Sequence, residues 1–111
     1  MAVHESPLAH PKNVLFGHII SAFSGVFVYS ILGFSFLSVG LGVGLAIFLM
    51  MTTKTVHPPA GANPIIAILG AKGLDFIIMP VAAGAFFIVL FAIIYNKLLK
   101  RKYFTLSDLR K

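Results

Sequence analysis

The sequence contains no cysteine and little charge of either sign. The absence of cysteine excludes a disulfide framework, a thiol nucleophile and a cysteine-based metal site. Charged residues make up 11% of the chain, against roughly 25% in ordinary soluble domains. Hydrophobic residues make up 59%, and the mean hydropathy is +0.98. A soluble fold of 111 residues cannot cover that much apolar surface, and so apolar a chain is not intrinsically disordered.

The few charges are also unevenly placed. No Asp, Glu, Lys or Arg occurs in residues 13–53 or 76–96. A membrane span needs roughly 20 apolar residues, so the first run holds two spans and the second holds one. The net charge of +6 comes largely from basic residues that follow the second run. Such a cluster indicates membrane orientation and contact with anionic lipid, and we expect no nucleic-acid partner.

We predict helices over residues 14–32 and 34–51, which Gly33 separates into a hairpin, with Asn13 as a candidate cap of the first. Residues 52–63 contain His57-Pro58-Pro59 and are predicted to be non-helical, because a residue before proline avoids the α region. Asn63 and Pro64 then predict the start of a short helix over residues 64–71, which Gly73 ends. The last helix runs to about residue 99, with Asp75 as its cap and a kink or late start at Pro80.

The segment 55–72 decides the topology, since it either crosses the membrane as a broken helix or dips in and returns. Crossing puts Lys12, Lys54 and the basic C-terminal cluster on one side, as the positive-inside tendency favours. We therefore predict an all-α membrane protein, a bundle of three full transmembrane helices and one broken segment. Residues 1–13 form a polar segment, residues 14–102 the membrane domain and residues 103–111 a basic tail. Both termini are predicted to be cytoplasmic.

The broken segment is the best candidate for a site. Non-helical backbone inside a membrane is tolerated only against protein or a watery cavity, and a helix N-terminus attracts anions. Lys54 and His57 stand just before the helix predicted at Pro64, Asn63 offers hydrogen bonds, and Gly61 lets a ligand approach the backbone. This pattern is typical of substrate sites in transporters. It is equally typical of a break that only fits a bend, with Lys54 extending to the membrane surface.

Two other features allow two interpretations each. His18 lies about one turn inside the first span, where an ionisable group indicates function, unless it is a neutral histidine that bonds a neighbouring carbonyl. The small residues Gly17, Ser21 and Gly25 recur at helical spacing and favour close packing of helices over pore lining. We expect no enzyme, cofactor or metal site, because the spans contain no carboxylate and the histidines have no metal-ligand spacing.

Residues 53–64, Thr-Lys-Thr-Val-His-Pro-Pro-Ala-Gly-Ala-Asn-Pro, closely resemble the signature of the HPP family of integral membrane proteins. Residues 6–18 resemble a block that precedes it in that family, and Pro80 and Tyr95-Asn96 also fit. The resemblance implies a multi-span domain, and some members have been linked to nitrite transport across plastid or bacterial membranes. It carries over the following residues as candidate substrate-binding positions: Asn13, His18, His57, Pro58, Pro59, Ala60, Gly61, Ala62 and Asn63.

The chain resembles the C-terminal two-thirds of that domain, since family members usually carry further spans before residue 6. The resemblance thus predicts a permease, or a permease subunit, for a small anion such as nitrite, in the bacterial inner membrane rather than a plastid envelope. The alternative is a truncated or accessory membrane protein that packs with partner helices and does not transport by itself. Expected partners are the lipid bilayer, the anion, and either a second copy or a chain that supplies further helices.

Overall fold

A computed structural model describes residues 7–99, and every regular element within them is helical. A 3-10 turn at Pro7–Ala9 leads into α1, Pro11–Leu32, and α2 covers Phe36–Thr52. A second 3-10 turn, Pro58–Gly61, runs directly into α3, Ala62–Leu69. A short α4, Leu74–Phe76, continues through a wide turn, Ile77–Ala82, into α5, Ala83–Leu98. The predicted tail of residues 103–111 and residues 100–102 of the basic cluster lie outside the described residues.

The all-α prediction is confirmed, but the prediction of three full spans is not. Two helical stretches are long and apolar enough to cross a membrane, Pro11–Leu32 and Leu74–Leu98. α2 has 17 residues, so it is about 25 Å long, and a typical hydrocarbon core is about 30 Å thick. The difference arises because Ser35, rather than Gly33, precedes the first turn of α2. Ser35 and Ser38 bond each other's backbone N–H groups there, which fixes that start.

Both ends of α1 follow from local chemistry. The helix begins at Pro11 rather than residue 14, because the His10 side chain accepts a hydrogen bond from the N–H of Lys12 and proline suits a first helical position. The prediction that Asn13 caps α1 is therefore wrong. At the other end Gly33 adopts a φ of 65°, a conformation that glycine takes without strain. The predicted break at Gly33 is confirmed.

The ends of α3 differ from the prediction. Asn63 does not cap it, because the turn Pro58–Gly61 already feeds the helix: the N–H of Ala62 finds the carbonyls of Ala60 and Pro59. The helix ends at Leu69, and Ala71 rather than Gly73 adopts the left-handed conformation, with φ 50°. There the N–H of Lys72 bonds the carbonyl of Ala67 at 2.8 Å, which closes the helix end.

Entry into the last helical stretch also departs in part from expectation. Gly73 occupies the cap position of α4, and no side chain caps that helix. Asp75 lies in the first turn instead, so the prediction that Asp75 is the cap is wrong. The predicted kink at Pro80 is confirmed, because Met79 has the extended angles φ −134° and ψ 119°. Proline removes a helical donor and clashes with the preceding turn, which explains why regular α5 starts only after it.

The segment 55–72 follows α1 from its beginning to its end. Asn13 bonds the carbonyl of Val56, Gly25 lies against Pro64, and residues 71–74 share a cleft with residues 26–30. The chain then runs back, and Val89 of α5 lies beside Pro11 and Lys12. The segment therefore joins the two ends of the bundle and does not return to the end where it began.

Candidate functional site

The loop that carries the His-Pro-Pro triplet is tied to the beginning of α1 by two side-chain hydrogen bonds. Nδ1 of His57 lies 2.8 Å from the carbonyl oxygen of Leu8, and the side chain of His57 is 8% exposed. Nδ2 of Asn13 donates to the carbonyl of Val56 at 2.7 Å, and Asn13 is also buried. Both bonds join residues more than forty positions apart in sequence, so they hold the loop against α1 rather than stabilising either element alone.

Asn63, in the first turn of α3, makes the second connection to α1. Its Nδ2 lies 2.8 Å from Nδ1 of His18 and 3.0 Å from Oγ of Ser21. The Ser21 hydroxyl in turn donates to the carbonyl oxygen of His18 at 3.0 Å. Asn63 was predicted as a cap or a ligand. It is not the cap, and in the structure its amide joins two helices.

The same arrangement brings the imidazoles of His18 and His57 together. Their ring centroids lie 5.1 Å apart, and the planes are tilted by 59°. We refer to the five side chains that these contacts bring together as the polar cluster: Asn13, His18, Ser21, His57 and Asn63. Within residues 7–99 no group of three His, Asp or Glu side chains gathers, so the two imidazoles have no third ligand of that kind for a metal.

Close packing of α1 against the broken segment makes these bonds possible. A Cβ on Gly17 would lie 2.8 Å from the carbonyl oxygen of Thr55 and 3.0 Å from Cβ of His57. A Cβ on Gly25 would lie 2.5 Å from Cα of Pro64. Any larger residue at either position would push the segment away from α1, so the small-residue pattern serves packing, as the sequence favoured.

The other predicted site residues are more scattered. Lys54 is exposed in the turn after α2, where its φ is 58°, and the exposed Pro58, Pro59 and Ala62 lie beyond it along the chain. Ala60 is fully buried in an apolar cluster with Ala46 and Met50. Among the ten predicted site residues, the structure thus joins the side chains of His18, His57 and Asn63 by direct contacts. It holds Asn13 beside them through the Val56 carbonyl, whereas Ala60 packs in an apolar environment.

Sequence reasoning missed three contributors to the polar cluster. Ser21 was assigned to packing, although its position three residues after His18 places both on one face of α1. The backbone carbonyls of Leu8 and Val56 also take part. The sequence could not indicate these two positions, because every residue has a carbonyl oxygen. Which carbonyl lies near the cluster depends on the tertiary fold.

The polar cluster contains no carboxylate. Asp75 is the one acidic residue in residues 7–99, and it follows the loop that lines a cleft with Tyr29 and Ser30. Ser30 lies twelve residues beyond His18, which is about 18 Å along a helix axis. Lys12 and Lys54 instead belong to the end of the bundle where the cluster lies. Among the described residues, the charge balance around the cluster is therefore neutral or positive.

Comparison with known proteins gives the motif its context. The family model for the HPP transmembrane region matches residues 1–104, which include every residue of the polar cluster. The chain belongs to the HPP family. The match covers the loop of residues 53–61, here called the HPP loop, together with α1 and α5, so the packing of the HPP loop against α1 lies within the matched region. No solved structure matches the chain.

Two curated relatives support the membership. One transmembrane protein of Dictyostelium discoideum is 34% identical over 94% of this chain, and another from the same organism is 39% identical over 89%. The matched regions are 39% and 35% of those two proteins. The chain thus spans somewhat more than a third of the length of the relatives it matches. Family membership and the two apolar helical stretches identify it as a membrane protein.

Proposed function

We propose that this chain forms part of a membrane permease that carries a small anion, with nitrite as the first candidate. The family supplies that candidate, through the link of some HPP proteins to nitrite transport. The observation that supports a permease is the polar cluster itself. It joins His18, Asn63 and His57, from elements far apart in sequence, inside a largely apolar bundle. Polar groups inside a membrane are costly and are retained where a solute or ion passes.

The sign of the charge favours an anion over a cation. The cluster has two imidazoles and amide N–H donors but no carboxylate, and Lys12 and Lys54 belong to the same end of the bundle. The first turn of α3 adds the partial positive charge of a helix N-terminus, and Asn63 fixes that turn beside His18. The two lysines and the N–H groups of that turn would repel a cation, and no carboxylate among the described residues of the cluster would attract one.

Discontinuous segments suit alternating access, because two short elements hinge more readily than one continuous helix. In the proposed mechanism the turn Pro58–Gly61 and α3 move against α1, and the contacts of His57 and Asn63 open and close in the process. Lys54, exposed at the turn, would attract the anion to that end. The proposed setting is a bacterial inner membrane with both termini cytoplasmic, and the proposal includes neither enzymatic chemistry nor nucleic-acid binding.

Nitrite uptake into proteoliposomes tests the proposal. Protein-free vesicles give the passive leak of nitrous acid, which is subtracted. We expect His57→Ala to abolish the protein-dependent uptake and Lys54→Ala to slow it several-fold. Lys72→Ala is the matched control, because Lys72 is an equally exposed lysine at the other end of the bundle. Uptake unchanged in both His57→Ala and Lys54→Ala, with insertion intact, would place the anion elsewhere.

A second candidate is an accessory membrane protein that works only with partner helices. The observation that favours it is the length of the two relatives, of which this chain matches 39% and 35%. The partner is either a second copy or a chain that supplies further spans. Uptake by the reconstituted chain alone supports the permease. Correct insertion without uptake, together with a stable complex of the chain with such a partner, supports the accessory protein.

A further inference from the structure

We propose that His18 and His57 together bind one proton, which crosses the membrane with the anion. This inference rests on the proposed function and adds a co-substrate to it. Its starting point is the pair of imidazoles, one from α1 and one from the loop before the turn Pro58–Gly61, with ring centroids 5.1 Å apart. At that distance a charge on one ring acts directly on the other.

The hydrogen-bond partners fix which nitrogen of each neutral ring carries its proton. A carbonyl oxygen only accepts, so Nδ1 of His57 donates to Leu8. An amide nitrogen only donates, so Nδ1 of His18 accepts from Asn63. The Asn63 nitrogen also lies 3.4 Å from the carbonyl of His18, where the amide oxygen would be repelled. Nε2 of His18 is therefore a donor in the neutral pair, and Nε2 of His57 has a lone pair.

This asymmetry decides where an added proton goes. On His57 it binds Nε2 and leaves the bond to Leu8 intact. On His18 it would have to bind Nδ1, where it would meet the N–H of Asn63 and break the connection between α1 and α3. A second proton would place two like charges on rings 5.1 Å apart in a medium of low dielectric. The pair therefore takes up one proton, at Nε2 of His57.

The charged surroundings couple that proton to an anion. The elements packed around the pair, which are α2, α3, both 3-10 turns and the turn Ile77–Ala82, contain no titratable side chain. Those that α1, α5 and the loops contribute at this end of the bundle are basic or phenolic: His10, Lys12, Lys54, Tyr95 and Lys97. Tyr29 and Lys72 lie together at the other end. Asp75 is at the far end of α1. Among residues 7–99 no carboxylate lies beside the pair to balance an added proton, and a bound anion supplies the missing charge. By linkage each ion raises the affinity of the other.

Electroneutral transport is the measurable consequence. The full chain is reconstituted in proteoliposomes, nitrite is the probe, and protein-free vesicles give the leak. We expect protein-dependent accumulation to be unchanged by an inside-negative potential and to rise tenfold per unit of inside-alkaline pH gradient. An anion that moves alone would instead lose tenfold in accumulation per about 59 mV, and that result would overturn the coupling while leaving the permease intact. No protein-dependent uptake under any gradient would overturn the permease and the coupling together.

Matched variants locate the proton. His57→Gln keeps an N–H that can reach the Leu8 carbonyl but does not titrate, so we expect its remaining uptake to lose the pH-gradient dependence. His10→Asn removes a neighbouring imidazole and retains a side chain that caps helices well, so it should keep the coupling. Full pH-gradient dependence in both His57→Gln and His18→Gln would overturn the assignment to the pair. The wild-type measurement decides the coupling even where a variant fails to insert.

Discussion

Two regions of this small bundle are built on different physical grounds. α1 packs against residues 53–69 through glycine contacts and interhelical hydrogen bonds. Within its most apolar 18-residue stretch, 44% is buried within the chain. The last stretch, Leu74–Leu98, is more apolar, yet only 17% of its most apolar 18-residue stretch is buried. In water that stretch would be the stronger core element. In a membrane its exposed Phe and Leu side chains face a solvent as apolar as they are.

The comparison shows which region determines how the helices associate. Without a hydrophobic driving force between helices, close packing and interhelical hydrogen bonds decide how helices associate in lipid. α1 and the HPP loop have both, whereas α5 buries few residues: Ala85, Ala92 and Asn96. We therefore expect changes in the first region to alter the fold and the site, and equal changes on α5 to be tolerated.

The largest expected effect is an all-or-none difference in labelling across the membrane. The native chain has no cysteine, so each single-cysteine variant carries one thiol. Lys54→Cys in the first region and Lys97→Cys in the second should react with an impermeant maleimide from the same side, because Val89 of α5 lies beside the start of α1. Lys72→Cys should react only from the opposite side. Lys72→Cys labelling from the side of Lys54→Cys would show a re-entrant segment.

Next in size is a pair of glycine substitutions, one in each region. A Cβ on Gly25 would lie 2.5 Å from Cα of Pro64 and 2.9 Å from Cβ of Ala67, so Gly25→Ala forces α1 and α3 apart. We expect it to lower the free energy of unfolding by about 3 kcal/mol or more. Gly84→Ala on α5 meets nothing within 4 Å and should raise stability by about 0.5–1 kcal/mol through helix propensity.

Reversible unfolding in mixed detergent micelles measures both variants under one condition. The contrast in sign is the informative quantity, since the side-chain change is identical and only the surroundings differ. A Gly25→Ala protein as stable as the parent would mean that α3 does not pack on α1 as described. A destabilised Gly84→Ala protein would mean that another helix covers that face of α5.

A smaller effect is expected from removing one amide of the polar cluster. Asn63→Ala deletes the donor to the half-buried Nδ1 of His18 and to the buried hydroxyl of Ser21, which costs about 1–3 kcal/mol. The matched control is Ser30→Ala, since the exposed hydroxyl of Ser30 bonds only Phe27 of its own helix in the structure. That change should stay within about 0.5 kcal/mol. Equal effects in the two variants, measured by the same unfolding assay, would contradict an interhelical role for Asn63.

Local features of the fold were predictable because local chemistry decides them. Gly33 and Pro80 interrupt helices wherever they occur, so both breaks were located from sequence. The charge-free runs likewise predicted the apolar stretches Pro11–Leu32 and Leu74–Leu98. The caps were less predictable, since several residues near each end can take the role. His10 did so instead of Asn13, because Pro11 lets α1 begin earlier.

Four of the five side chains of the polar cluster were named from the sequence, but their connections were not predictable. The broken segment identified His57 and Asn63, and the depth in the first span identified His18. Which atoms they bond depends on the tertiary path along α1. In the sequence Asn63 fits a capping pattern, whereas in the structure it makes an interhelical bond. The helix start does not need its side chain, because the turn Pro58–Gly61 supplies carbonyls to the N–H of Ala62. No feature of local sequence distinguishes these outcomes.

The smallest expected effect concerns the lipid-facing side of α5. Phe91 is 69% exposed, whereas Phe76 is 5% exposed and packs with Ala22 and Val26 of α1. Phe91→Leu exchanges one apolar surface for another in lipid and should change the free energy of unfolding by less than about 0.5 kcal/mol. Phe76→Leu leaves a gap against α1 and should cost about 1 kcal/mol. Both values come from unfolding in the same micelles. A loss above about 1 kcal/mol in Phe91→Leu would show that protein rather than lipid covers α5, as expected of a second copy or a partner helix, and the contrast between the two regions would then hold only for the isolated chain.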